Sequence, residues 1–115
     1  QQNSLIKNND NQKKIKIDCK NLNLILEENK FEKFEYLNID VEGSEQNVIN
    51  GINLSKYRPM LITIENNNLH INDYIESETY KILIKNNYTF ISKTGVTNFF
   101  LKNEYAKNFL KLISI

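Results

Sequence analysis

The chain has 115 residues, of which 40% are hydrophobic and 25% are charged, so it can form one domain with a single modest core. Its 15 basic and 14 acidic residues leave a formal net charge of +1, which excludes a strongly basic surface for nucleic acid or an anionic membrane. No apolar run is long enough to span a bilayer, and a single cysteine allows no internal disulfide. These features predict a cytoplasmic protein.

The first part of the chain is polar and shows no hydrophobic period. We expect residues 1 to 12 to form a flexible lead-in and residues 13 to 115 to form the folded part. Ile15 and Ile17 alternate with polar residues, which predicts a short strand. The leucine-rich segment from 22 to 26 then predicts a short helix.

The middle of the chain carries two strand patterns with a helix between them. Apolar residues alternate along residues 36 to 42, which predicts a strand. Ser44 is the predicted N-cap of the next helix, and Glu45 in its first turn suits the helix dipole. Residues 60 to 64 are apolar at nearly every position, a pattern typical of a strand that is covered on both faces.

The last third of the chain begins with a predicted helix over residues 73 to 85. Two strand patterns around Gly95 predict a hairpin, and an amphipathic helix over residues 104 to 112 follows it. Strands that alternate with helices predict right-handed crossovers and a mostly parallel sheet, to which the hairpin adds an antiparallel part. The predicted fold class is therefore α/β.

Acidic side chains stand where two predicted strands end. Asp40 and Glu42 are two residues apart at the end of one strand, and Glu65 ends the next strand. Ligands of parallel sheets bind beyond the carboxyl ends of the strands, so these groups should meet at the mouth of the sheet. They could serve as a general base, bind a substrate hydroxyl or hold a hard metal ion. The alternative is a set of solvated acids at a strand-to-helix turn.

The segment KFEYLNIDVEGSEQNVINGINLSKYRPMLITIEN resembles the FkbM-type methyltransferase family. The shared features are an apolar strand ending in Asp-x-Glu-Gly, a helix with a final glycine, a proline and a second strand ending in Glu. Upstream, IKIDCKNLNLILEE is similar to the family's short strand and helix, although Asn23 replaces the usual aspartate. Downstream, NNYTFISKTGVTNFFLKN resembles the closing hairpin, with Asn98 near the expected polar position. Asn66 stands where some relatives have histidine.

This resemblance implies a Rossmann-like, mostly parallel methyltransferase sheet, of which the chain supplies the C-terminal portion with its antiparallel hairpin. It implies transfer of a methyl group from S-adenosylmethionine, usually to an oxygen of a sugar or small metabolite. Asp40 and Glu42 are then the predicted catalytic residues, and Glu65 and Asn98 the predicted substrate-binding residues, with no metal site.

The family's Gly-rich cofactor loop is missing from this sequence. The resemblance places that loop after the family's first strand, and the three glycines of this chain form no such motif. The chain also begins with Gln1 rather than methionine. We therefore expect residues 13 to 115 to be the C-terminal half of a methyltransferase domain, inactive by itself because methyl transfer requires the positioned cofactor.

Two other functions stay open on the sequence alone. The chain could be a non-catalytic remnant that acts as an interaction or structural module, or it could carry a carboxylate-based Mg²⁺ site of an unrelated α/β hydrolase. The expected partners are a small-molecule or glycan acceptor, with neither nucleic acid nor membrane. If the family's strand order holds, the strand over residues 36 to 42 also has an open edge, which predicts self-association or pairing through that edge.

Overall fold

The computed structural model describes residues 2–6, 14–67 and 70–113. Within these ranges the chain forms a two-stranded sheet, a four-stranded sheet and five helices, so the α/β class is confirmed.

The two-stranded sheet lies at the start of the chain. Its strands β1 (Gln2–Ile6) and β2 (Ile15–Cys19) pair in antiparallel orientation. The sequence pattern predicts β2 but no element within residues 1 to 12, and the structure places β1 there because an antiparallel partner satisfies the backbone groups of both strands. Residues 7 to 12 of the expected lead-in lie outside the described residues. The division of the chain at residue 13 stays a prediction.

The main sheet contains four strands in the order β3-β4-β6-β5. These strands are β3 (Tyr36–Ile39), β4 (Leu61–Glu65), β5 (Tyr88–Thr94) and β6 (Thr97–Lys102). Only the β3–β4 pairing in this sheet is parallel, since β6 pairs with both β4 and β5 in antiparallel orientation. The predicted mostly parallel sheet is thus corrected to a mixed one. The hairpin was predicted, but its second strand inserts beside β4 and so makes two of the three pairings antiparallel.

Five helices accompany the sheets, and they follow the sequence pattern with one exception. The helix that was predicted over residues 73 to 85 is interrupted, because the side chain of Ser77 accepts a hydrogen bond from the backbone N–H of Tyr80 and starts a second helix. No helix of the described ranges has the length and apolar content needed to cross a membrane. The helices are α1 (Leu22–Glu28), α2 (Glu45–Asn50), α3 (Ile71–Tyr74), α4 (Glu78–Lys85) and α5 (Asn103–Ile113).

The core lies on one face of the main sheet. Residues opposite each other on neighbouring strands point to the same face, so the register places Leu37, Ile62, Phe100 and Phe90 in one row. Three helices cover this face, with buried side chains that belong to the same apolar cluster: Ile49 from α2, Tyr74 from α3 and Leu83 from α4. The opposite face of β3 and β4 therefore keeps its polar side chains, and this alternation positions the acidic groups described next.

Candidate functional site

The parallel pairing of β3 with β4 brings two acidic side chains together. Ile39 and Ile64 are the last residues paired between the two strands, so Asp40 and Glu65 follow at the same level. Their carboxyl groups are hydrogen-bonded to each other. The structure therefore confirms that acids ending these neighbouring strands meet at the edge of the sheet.

A pocket of about 310 Å³ opens at this end of β3 and β4. Three of the four predicted site residues contribute to it, and a fourth carboxylate and two amides complete its polar wall. Polar groups that converge in a concave site can fix the orientation of a small polar ligand. Its lining consists of Asp40, Glu42, Gly43, Glu45, Glu65, Asn66 and Asn67.

The Asp40 side chain raises the pKa of Glu65. Two carboxyl groups can hydrogen-bond only when one of them carries a hydrogen, and the bond to Asp40 is the largest cause that raises the pKa of Glu65. Partial burial and the negative charge of Asp40 raise this pKa further, while a hydrogen bond with the side chain of Thr97 lowers it. Glu65 thus keeps its proton to a higher pH than an ordinary glutamate does.

A left-handed turn carries Glu42 to the pocket. The strand β3 ends at Ile39 rather than at residue 42, so the two-residue spacing of a strand does not place Glu42 beside Asp40. Instead, Glu42 has a φ of +45° and Gly43 a φ of +97°, which reverse the chain before α2. Asp40 and Glu42 still reach the same pocket, by a turn instead of by strand alternation.

Glu45 is a pocket residue that the sequence analysis assigned only to the helix dipole. Its side chain is 6% exposed, and its Oε1 atom accepts a hydrogen bond of 3.1 Å from the backbone N–H of Gly43. Ser44 occupies the predicted N-cap position, but its hydroxyl makes no capping hydrogen bond. The signal for Glu45 was its position four residues before Ile49, because that spacing places both side chains on the buried side of the helix.

A known protein-family model matches most of the chain. The model of the methyltransferase FkbM domain matches residues 1–104. This chain belongs to the FkbM methyltransferase family. The match confirms the resemblance seen in the sequence and extends it into the first twelve residues. No curated protein and no solved structure matches the chain.

Asn98, the fourth predicted site residue of this FkbM chain, lies beneath the pocket rather than in its wall. It pairs with Ile64 and therefore faces the helix-covered side of the sheet, where it is fully buried. Its Nδ2 donates to the carbonyl oxygen of Ile64 at 3.1 Å, and its Oδ1 accepts from Nζ of Lys93 at 3.1 Å. These bonds support the end of β4, and contact of Asn98 with an acceptor stays a prediction.

Other polar groups of the FkbM chain lie away from the acidic pocket. A wider cleft of about 620 Å³ lies beside Arg58, before the start of β4. The Arg58 guanidinium donates to the carbonyl of Asn86, forms an ion pair of 3.4 Å with Glu104 and stacks 5.3 Å above the ring of Tyr88. Its charge therefore holds the local structure together. In the part of the chain that the structure describes, no group of three or more His, Cys, Asp or Glu residues is arranged to hold a metal ion.

Proposed function

We propose that this chain carries the acceptor side of an S-adenosylmethionine-dependent O-methyltransferase that acts on a hydroxyl group of a sugar or small metabolite. The observation that carries the proposal is that Asp40 and Glu65, at the ends of neighbouring strands, line one concave pocket of an FkbM family member. Ligands of α/β sheets bind beyond the carboxyl ends of the strands, which is where this pair lies.

In this proposal Asp40 accepts the proton that the acceptor hydroxyl releases. A side chain exposed to the pocket is needed for this role, and Asp40 is exposed, whereas Glu65 is half-buried behind it. Glu65 then orients Asp40 through the hydrogen bond between their carboxyl groups. Glu42, on the left-handed turn, binds a second hydroxyl of the acceptor or shares the role of base.

The lining of the pocket favours a neutral or cationic acceptor. Four carboxyl groups and two amides line it, and no lysine or arginine does. A carboxylate or phosphate on the acceptor would be repelled at this short range, whereas hydroxyl and amino groups would find hydrogen-bond acceptors. A sugar or polyol without an acidic group near the methylated position therefore fits best.

The pocket residues do not fit the whole of S-adenosylmethionine. An adenine ring needs an apolar or aromatic wall, and the lining is polar throughout. Gly43 and Gly95 lie in separate turns and form no Gly-rich loop. No step of the reaction is therefore assigned to the cofactor at this pocket. We propose that residues 13 to 115 form the C-terminal half of a domain whose other residues bind the methyl donor.

Kinetics of methyl transfer test this function. The natural protein that carries these residues would be given S-adenosylmethionine with a labelled methyl group and a panel of neutral monosaccharides and polyols. Asp40→Asn preserves the shape of the side chain but removes the charge, and it should lower kcat/KM by about 10²- to 10⁴-fold. The matched control is Glu28→Gln, on the exposed side of α1, which should leave the rate unchanged.

Two outcomes would contradict the proposed function. One is a normally folded Asp40→Asn protein that methylates at the parental rate, with thermal melts used to confirm the fold. The other is a natural protein that methylates no neutral acceptor in the panel.

A second candidate function is that of a non-catalytic interaction module in the cytoplasm. The observation that favours it is the outer edge of β3, which pairs with no strand in the described residues, while Tyr36 on this strand is 54% exposed. Methyl transfer by the natural protein would distinguish the two functions, because the module predicts none.

A further inference from the structure

We infer that Glu45 is a positioning residue, which fixes the turn between β3 and α2 and thereby holds Asp40 against Glu65. This inference deepens the proposed function, since it takes the Asp40–Glu65 pair as the reacting end of the pocket. It adds a residue that does not itself take a proton from the acceptor.

The first support is the burial of Glu45 in spite of its charge. Charged side chains are seldom as buried as this one, which is 6% exposed, unless a partner compensates for the lost water. Here the partner is the backbone N–H of Gly43, which donates to Oε1 at 3.1 Å. Hydrogen bonds to an ionised acceptor are stronger than neutral ones, so this bond constrains the backbone of the turn.

The second support is the conformation of the turn that this bond spans. Glu42 has a φ of +45°, a conformation that non-glycine residues rarely adopt, and Gly43 follows at +97°. A non-glycine residue such as Glu42 needs a restraint from its surroundings to persist at positive φ, whereas Gly43 adopts its φ without strain. The neighbouring Ser44 does not supply it, because its side chain makes no capping hydrogen bond.

The third support is the position of the turn next to the carboxyl pair. Asp40 lies two residues before Glu42, directly after the last paired residue of β3. No strand partner fixes Asp40 on its C-terminal side, so the turn and the contact with Glu65 together limit where its carboxyl group lies. Functional groups are held to useful geometry by such supporting contacts.

Tyr74 is a buried residue whose phenol interacts electrostatically with Glu45. Its side chain is 1% exposed, and its hydroxyl has no hydrogen-bond partner among the described residues. Burial raises the pKa of Tyr74, and the negative charge of Glu45 raises it further. Tyr74 therefore keeps its proton and adds no second negative charge near Glu45.

Titration of Glu65 in the 115-residue chain tests the inference without any methyl transfer. Carbon-detected NMR of labelled side-chain carboxyl groups would follow Glu65 between pH 3 and pH 9. The groups that act on Glu65 are Asp40 at the end of β3 and Thr97 on β6, with Glu42 and Glu45 in the same pocket. In the wild-type chain we expect a midpoint clearly above that of an ordinary glutamate.

Three variants distinguish the effect of the Glu45–Gly43 contact on the Glu65 midpoint from the effect of the negative charge in the pocket. Glu45→Ala removes the contact with Gly43 and should return the Glu65 midpoint toward the ordinary value, because Asp40 is released. Glu45→Gln removes the charge of Glu45 but keeps an oxygen that accepts the hydrogen bond from Gly43. Glu42→Gln removes another charge of the pocket and leaves this hydrogen bond intact. Glu45→Gln should therefore shift the Glu65 midpoint no more than Glu42→Gln does. Should Glu45→Ala fail to fold, Glu45→Asp replaces it, since it retains the charge on a side chain too short to reach Gly43.

The outcomes bear on the inference and on the proposed function separately. An unchanged Glu65 midpoint in Glu45→Ala or Glu45→Asp would overturn the positioning role, and so would an ordinary midpoint in the wild-type chain. Neither result depends on whether the natural protein methylates a sugar. Conversely, a protein without methyltransferase activity could still show the expected titrations, and then only the proposed function would fall.

Discussion

Tyr88 ties the final hairpin to the turn before β4. Its hydroxyl donates a hydrogen bond of 2.6 Å to the carbonyl oxygen of Pro59, and both residues are buried. Burial raises the pKa of Tyr88 to about 12, which Arg58 above its ring lowers in part and Glu104 raises. The hydroxyl thus keeps its proton in the folded protein at a pH where it would lose it in the unfolded chain.

Replacing this hydroxyl should change both stability and its dependence on pH. Tyr88→Phe leaves the Pro59 carbonyl without its donor, which should cost about 1 kcal/mol of unfolding free energy at neutral pH. Because the folded pKa is raised, the contribution of Tyr88 is complete below about pH 10 and is lost as pH rises toward about 12. The difference between wild type and variant should therefore shrink over this range.

Urea unfolding at several alkaline pH values would measure this difference. Tyr105→Phe is the control, because Tyr105 is 44% exposed on α5 and its hydroxyl should contribute little. A Tyr88→Phe protein as stable as wild type at neutral pH would argue against the buried hydrogen bond. A constant difference from pH 8 to pH 12 would argue against the raised pKa.

The position of a site residue could be predicted from the sequence where it depends only on the strand that carries the residue. Asp40 follows β3 and Glu65 is the last residue of β4, and neighbouring parallel strands bring such ends together whatever the rest of the fold. Asn98 required the pairing partner of β6 to be known, because a shift of one residue would move it to the other face. Glu45 required the turn geometry, which the sequence does not specify locally.

At the scale of elements, the turn between β3 and α2 shows how conformation limits substitution. An added Cβ at Gly43 or Gly95 would meet no atom within 4 Å, so space is no obstacle at either position. The φ angles differ, however, at +97° for Gly43 and +58° for Gly95. Only the second value lies in the left-handed region that other residues adopt at moderate cost.

The matched pair Gly43→Ala and Gly95→Ala should therefore behave differently. Gly95→Ala should cost about 1 kcal/mol of stability and leave methyl transfer unchanged, because the hairpin turn does not line the pocket. Gly43→Ala should cost about 2 kcal/mol or more, since the backbone must move away from +97°. It should also reduce kcat, because Glu42 moves with the turn. The expectation would be contradicted if both variants lost the same amount of stability and both kept full activity.

Most elements followed from hydrophobic pattern, and the exceptions have local causes. Regular alternation located β2 and β3, and the apolar run located β4. The break between α3 and α4 was missed because the apolar period continues across it, while the Ser77 side chain starts a new helix. β1 was missed because its segment acquires strand structure only by pairing with β2.

For the whole molecule, topology was harder to predict than the elements. Alternating strands and helices suggested parallel neighbours throughout, yet the second strand of the hairpin pairs with β4 and makes the sheet mixed. The order of strands in the sequence does not reveal which strand of the closing hairpin pairs with β4. Both β5 and β6 have enough apolar residues to occupy a central position in the sheet.

The open edge of β3 leads to a prediction about association. β3 pairs only with β4 in the described part of the chain, and unpaired edges invite pairing with a second copy. We expect the 115-residue chain to form dimers or larger species in light scattering. Tyr36→Lys should shift the chain toward monomer, because a lysine on an edge strand opposes pairing. Tyr105→Lys, on α5, is the control that should not.

Two results would refute this prediction. One is a stable, well-folded monomer of the unmodified chain at high concentration. The other is an equal effect of the two lysine substitutions, which would assign the association to another surface.

The central claim is that Asp40 and Glu65 act as one unit at the reacting end of a methyltransferase pocket. A double-mutant cycle on methyl transfer by the natural protein tests it most directly, with Asp40→Asn, Glu65→Gln and the double variant compared by kcat/KM. Residues that act as a unit are strongly non-additive, so the double variant should be no more than a few-fold slower than the slower single variant. Losses that multiply, or a Glu65→Gln protein with the parental rate, would contradict the claim.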